Sequence, residues 1–163
     1  MYSDAVSLFS RLERPLRNLN PVIFIMSVMF ILLSIFMTLP VLLLVTSESP
    51  NAMAFAESAA ICFGTGLLGI LTTSRQPRDL KPRYMFVLTV SSWFIIALLS
   101  SLPFYLSDLG LTLGEAFFEG TSGITTTGAT VLTGLDSMDQ DLLLWRSVLQ
   151  WIGGIGIIGM AIL

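Results

Sequence analysis

Histidine is absent from this chain, and that single gap removes several chemistries at once. No imidazole is available for a zinc site, a Ser-His-Asp triad or a proton relay. Cysteine occurs once, at Cys62, so neither an internal disulfide nor a cysteine metal cluster can form. Charge is scarce too: Asp, Glu, Lys and Arg make up 12% of the residues, against about 25% in soluble domains. The few basic residues are split between two short segments, which makes a poor footprint for nucleic acid. The carboxylates have no nucleophile or metal site beside them, so the chain is not expected to be an enzyme or to carry a cofactor.

What fills the space is apolar. Hydrophobic residues make up 54% of the chain and the mean hydropathy is +0.84, the composition of an integral membrane protein. Four apolar runs each approach the roughly 20 residues that cross a hydrocarbon core. They are residues 21–45, 52–71, 84–102 and 142–163. Pro21 suits a first helical position, Pro40 is expected to bend or end the outer part of the first run, and Pro103 to stop the third. In the second run Ala56, Ala60 and Gly64 recur four apart, a smooth stripe suited to close helix packing in lipid. Ahead of the runs, Val6, Phe9, Leu12, Leu16 and Leu19 alternate with Arg11, Arg14 and Arg17. Two readings of that segment stand: an amphipathic stretch in the headgroup layer, or a basic tail.

The basic residues set an orientation. Arg11, Arg14 and Arg17 precede the first run, and Arg75, Arg78, Lys81 and Arg83 lie between the second and third. The positive-inside rule places both segments in the cytoplasm and residues 46–51 and 103–141 outside. The outer segments are acidic, with Glu48, Asp108, Glu115, Glu119, Asp136, Asp139 and Asp141.

Residues 113–130 are the chain's most unusual stretch. About three helical turns from Leu113 are too short to span a bilayer and too apolar, with Ala116, Phe117 and Phe118, to lie in water. Thr125-Thr126-Thr127-Gly128 comes next: β-branched residues that favour extended backbone, closed by a glycine that permits positive φ. A short helix that enters the membrane and returns as extended chain accommodates both features. Irregular backbone at that depth is tolerated only where it is buried in protein or lines a watery path. Read so, the carbonyls form a row like those of a cation selectivity filter. The plainer reading is a polar, hydroxyl-rich turn outside the membrane.

Other motifs carry less. Gly64-Thr65-Gly66-Leu67-Leu68-Gly69 and Gly154-Ile155-Gly156-Ile157-Ile158-Gly159 both match G-x-G-x-x-G, but each lies inside an apolar run rather than between strand and helix. Helix packing accounts for both, and in the fourth run the glycines leave a thin wall beside the filter. Arg146 either snorkels to the outer headgroups or, the favoured reading, pairs with Asp136, Asp139 or Asp141. Glu57 reads as an interfacial residue rather than an ion ligand. Glu115 and Glu119 either concentrate cations at an outer mouth or, for Glu119, form a buried strut behind the filter.

The stretch Phe117-Phe118-Glu119-Gly120-Thr121-Ser122-Gly123-Ile124-Thr125-Thr126-Thr127-Gly128-Ala129-Thr130 resembles the first pore loop of the Trk-type bacterial potassium uptake proteins. Gly134-Leu135-Asp136-Ser137, and the segment from Arg146 through Trp151-Ile152-Gly153-Gly154 to Ile157, resemble the part of those proteins directly after that loop. The resemblance implies an all-α integral membrane fold: four transmembrane helices plus one re-entrant pore helix and filter loop, within a larger helix–pore-loop–helix repeat. The division would be an N-terminal segment 1–20, two leading helices 21–83, and a first unit 84–163 truncated at its end. The resemblance also implies potassium uptake across the bacterial inner membrane, with the N-terminus cytoplasmic. Thr125, Thr126, Thr127, Gly128 and Ala129 would be this unit's filter, and potassium would bind the carbonyls of Thr125 to Gly128. The implied partners are a second copy, a TrkA-like nucleotide-binding regulator in the cytoplasm and the lipid bilayer. The alternatives are a single-loop channel subunit acting as a tetramer and a membrane scaffold without transport. Known filters of this kind use four loops and this chain supplies one. It is therefore expected to be a fragment that does not transport alone.

Overall fold

Apolar runs of this length have one inexpensive backbone conformation in lipid, the helix that satisfies its own N–H and C=O groups. The computed structural model describes residues 20–43, 50–73 and 82–162, and all its regular structure is helical. The expectations for residues 1–19, and for most of the basic link after the second run, lie outside the described residues. Helix α1 spans Asn20–Leu43, α2 Ala52–Thr73, α3 Pro82–Ser100, α4 Leu102–Leu106, α5 Leu113–Ile124 and α6 Gln140–Ile162, with one 3-10 turn at Leu135–Ser137. Among the described residues, four helical stretches are long and apolar enough to cross a membrane: 20–42, 52–73, 84–106 and 140–158.

Hydroxyls inside these helices are folded onto their own backbone. Ser27 donates to the Ile23 carbonyl at 2.6 Å, Ser34 to Ile31 at 2.7 Å and Ser58 to Ala54 at 2.6 Å. Each polar atom is thereby satisfied without a partner from another element. Helices α1 and α2 form an antiparallel hairpin, since Gly69 lies against Ser27 and Gly66 against Ser27 and Ile31. A Cβ at Gly66 would stand 2.8 Å from the Ser27 carbonyl oxygen. The close-packing stripe of α2 is therefore not Ala56, Ala60 and Gly64. Ala56 and Ala60 are exposed and Gly64 has open space beside it. Cys62, Gly66 and Thr73 are buried instead, because α1 lies on that side.

Pro103 does not stop the third span. The helix pauses at Ser101, whose backbone stays helical (φ −79°, ψ −16°), and α4 restarts with Pro103 in its first turn. That is where a residue without an N–H donor removes no hydrogen bond. Pro40 likewise lies within α1 rather than ending it. The buried core joins Met37, Phe55, Phe104, Leu142, Trp145 and Leu149 from four helices. Phe55 and Trp145 meet edge to face with ring centroids 6.1 Å apart. Large apolar side chains point outward as well, among them Leu68, Leu71, Phe86 and Phe94, as a lipid-facing surface requires.

Candidate functional site

Helix α5 starts from a reciprocal cap. Glu115 Oε2 accepts from the Thr112 N–H at 2.8 Å and from the Thr112 hydroxyl at 2.7 Å, while the Glu115 N–H donates to Thr112 Oγ1. The Thr112 side-chain bond, then its backbone bond, holds the Glu115 carboxyl below its ordinary range. With 12 residues the helix is about 18 Å long, short of the roughly 30 Å hydrocarbon thickness.

Glycines let α5 wedge between α3 and α6. A Cβ at Gly120 would stand 2.8 Å from both the Ala97 carbonyl oxygen and the Ser101 nitrogen. One at Gly123 would stand 3.0 Å from Leu149, and one at Gly153 would overlap the Ile124 carbonyl. Trp145 Nε1 donates to the Ser100 carbonyl at 3.1 Å and ties α6 to α3 on the same side. The thin wall expected on α6 is thus centred on Gly153, one residue before the glycines of the G-x-G-x-x-G match.

Beyond Ile124 the chain doubles back along the helix it has just left. The Thr126 N–H reaches the Gly123 carbonyl at 3.0 Å, and the Thr127 and Gly128 N–H groups both reach the Ser122 carbonyl, at 3.0 and 3.3 Å. Ser122 Oγ donates to the Ala129 carbonyl at 2.5 Å. Two residues turn the chain through positive φ: Gly128 at 75° and Thr126 at 59°. The left-handed region is uncommon for a β-branched residue, and such strain persists only where the surroundings over-determine it. Thr125 is half-buried, while Thr126, Thr127, Gly128 and Ala129 are exposed. The Thr125 and Thr127 hydroxyls bond each other at 2.8 Å. Among the described residues no hydrogen bond is donated to the carbonyls of Thr125, Thr126, Thr127 or Gly128. Consecutive unengaged carbonyls on an exposed backbone are chemically suited to replace water around a cation.

Behind this row lies a buried ion pair. Glu119 is 1% exposed and Arg146 13%, and one guanidinium nitrogen of Arg146 bonds Glu119 Oε2. Glu119 Oε1 accepts from the Thr130 hydroxyl at 2.6 Å and the Val131 N–H at 2.7 Å. Arg146 also donates to Thr130 Oγ1 at 2.8 Å. Arg146 therefore pairs with Glu119 and not with Asp136, Asp139 or Asp141. Asp136 is exposed on the 3-10 turn, and the other two carboxylates face Asn51.

The Asn51 clasp had no sequence signal. Its backbone N–H donates to Asp141 Oδ2 at 3.1 Å, and its side-chain nitrogen bonds Asp141 Oδ1 and Asp139 Oδ2, each at 3.1 Å. Its side-chain oxygen accepts from the Asp108 N–H at 3.4 Å. Asn51 and Asp141 are both buried, at 3% and 1% exposure, so the start of α2 is locked to the start of α6. Glu57, one turn further along α2, is exposed.

Fold and site together define a polytopic all-α membrane protein with a truncated helix and a doubled-back segment held among its spans. The chain belongs to the TrkH family, described as cation transport protein, whose pattern matches residues 48–163. It is 43% identical over 152 residues to the Trk system potassium uptake protein TrkI of Halomonas elongata, covering 93% of this chain and 31% of that protein. It is 37% identical over 139 residues to the Trk system potassium uptake protein TrkH of Salmonella typhimurium, covering 85% of this chain and 29% of that one. The crystal structure of the potassium transporter TrkH from Vibrio parahaemolyticus is similar in fold, with a TM-score of 0.82 at 33% identity over 88% of this chain and 31% of that one. The chain thus spans under a third of the length of these relatives.

Proposed function

We propose that this chain contributes one wall of a potassium pathway in a Trk-type uptake system of the bacterial inner membrane. In this reading residues 84–163 form a helix–pore-loop–helix unit, α5 is a re-entrant pore helix, and residues 21–83 are two leading helices. The carbonyls of Thr125, Thr126, Thr127 and Gly128, with Ala129 closing the row, replace the water of a dehydrating K⁺. The observation that carries the reading is the row of unengaged carbonyls on a backbone turned by Thr126 and Gly128 through positive φ. The C-terminal end of α5 adds partial negative charge beside that row, with no basic residue in its last turn to cancel it. The names and lengths of the relatives support the rest: potassium as the ion, and further loops to close the filter. A second copy and a TrkA-like nucleotide-binding subunit complete the proposed assembly.

The test is a Gly128→Ser substitution in the complete gene product, expressed in a bacterium lacking its own uptake systems. A side chain at φ 75° shifts the carbonyls around the ion, so K⁺ affinity falls and Na⁺ inhibits uptake more strongly. Thr127→Ser leaves the carbonyl in place and does less. Unaltered K⁺ affinity and Na⁺ sensitivity in Gly128→Ser would remove the assignment.

A further inference from the structure

The carbonyl row has no need of Glu119, Thr130 or Arg146 as ligands, yet these side chains form a connected polar network directly beside it. Thr130 Oγ1 is its hub: it donates to Glu119 Oε1 at 2.6 Å and accepts from Arg146 at 2.8 Å and from the Leu132 N–H at 3.0 Å. Glu119 Oε1 takes the Val131 N–H as well. The network reaches the loop only at Thr130, Val131 and Leu132, directly after the proposed ion-facing residues.

We propose that Glu119, Thr130 and Arg146 are positioning residues that set ion specificity, by holding the outer end of the carbonyl row at a fixed distance from α5. This rests on the reading of Thr125–Gly128 as the coordinating row. A row of backbone dipoles discriminates between cations of different size only while it resists closing onto the smaller one. From Thr127 to Ala129 the row hangs on Ser122, whose carbonyl takes two N–H groups and whose hydroxyl holds the Ala129 carbonyl. Past Ala129 the restraint passes to Glu119, and Arg146 keeps that carboxylate in place. Both charges are largely withdrawn from water, so each depends on the other.

Specificity, rather than support of the fold alone, follows from where the network attaches. Helix α5 is already fixed by Gly120 on α3 and by Gly123 and Gly153 at α6. Trp145 and Leu149 fill the core beneath it. Releasing Thr130 and Val131 frees the end of the loop without unpacking those contacts. A glutamine at 119 keeps the size but offers one acceptor oxygen where the network uses two. A valine at 130 keeps the shape and deletes the hub.

The experiment compares Thr130→Val, Glu119→Gln and Arg146→Lys with Gly128→Ser in the complete gene product, in cells and in detergent. It reads K⁺ uptake against competing Na⁺, the amount of protein in the membrane, and the melting temperature. Thr130→Val is the mildest change and is expected to reach the membrane at the parental level. Its K⁺ over Na⁺ preference should fall about tenfold, equivalent to about 1.4 kcal/mol of differential ion binding. Glu119→Gln should follow it. Arg146→Lys, which keeps the charge and loses the planar fork, should lose less. If Thr130→Val folds normally and keeps the parental preference while Gly128→Ser loses it, the brace proposal fails and the coordinating row stands. If Gly128→Ser keeps it too, the row itself is wrong and the brace falls with it.

Discussion

At Gly153, α6 runs so close to the end of α5 that the Ile124 carbonyl occupies the space of a β-carbon. Packing there is backbone against backbone, which cannot yield as the tip of a flexible side chain does. Gly153→Ala should destabilise the protein by about 1–3 kcal/mol, the usual range for overpacking, and lower its melting temperature in detergent. Gly64→Ala is the control. Nothing lies within 4 Å of that position, and alanine favours a helix interior by about 1 kcal/mol. Equal behaviour of the two variants would mean that the crossing at Gly153 is not tight. Sequence pointed to the wrong one of the two, since the small-residue stripe with Ala56 and Ala60 made Gly64 the candidate for close packing. Only the neighbour across the helix interface separates them.

The short helix is an element that sequence described well: its 12-residue length and the turning glycine were legible in residues 113–130. The extended backbone expected of the threonine run was not found at Thr125 (φ −84°, ψ 2°) or Thr126 (φ 59°), because their N–H groups bond back to the Thr121 and Gly123 carbonyls and turn the chain there. The clasp that fixes the far end of the return was not, because Asn51 and Asp141 are 90 residues apart in the chain. A polar residue before an apolar run reads first as a helix start. Asn51→Ala removes the side-chain N–H groups that face Asp139 and Asp141. It should cost about 1.5–3 kcal/mol, the range for hydrogen bonds to charged groups. Asn51→Asp should be worse at neutral pH, since it brings a third carboxylate against the two already there. Melting curves of the two variants in detergent decide this, and an Asn51→Asp protein as stable as the parent would exclude the clasp as a structural lock.

For the molecule as a whole, orientation is the property that charge distribution addresses. Seven of the eight basic residues lie at 11–17 and 75–83. With α1 and α2 antiparallel, the helix ends that adjoin these segments in sequence, Asn20 and Thr73, fall at one end of the hairpin. A reporter active only outside the cytoplasm should be active when fused after Asp136 and silent after Gln76. Activity after Gln76 would invert the orientation. In that frame the 3-10 turn, the Asn51 clasp and the cap of α5 all belong to the outer end.

Composition and hydrophobic run length by themselves determined a helical membrane protein with four candidate spans in this stretch of chain. Local chemistry located the short helix and its turn, because chain length against bilayer thickness and β-branching against glycine are properties of adjacent residues. Which partner each polar side chain takes was decided by tertiary structure. Arg146 had three nearby aspartates, yet α5 wedged between α3 and α6 brings Glu119 to it across 27 positions. Asp141 is drawn instead to Asn51. The packing face of α2 was decided the same way: a small-residue stripe at Ala56, Ala60 and Gly64 is legible in sequence, but α1 lies over Gly66 and Gly69. Helical periodicity says which residues share a face. Which face is covered depends on an element tens of residues away, and no local propensity carries that information.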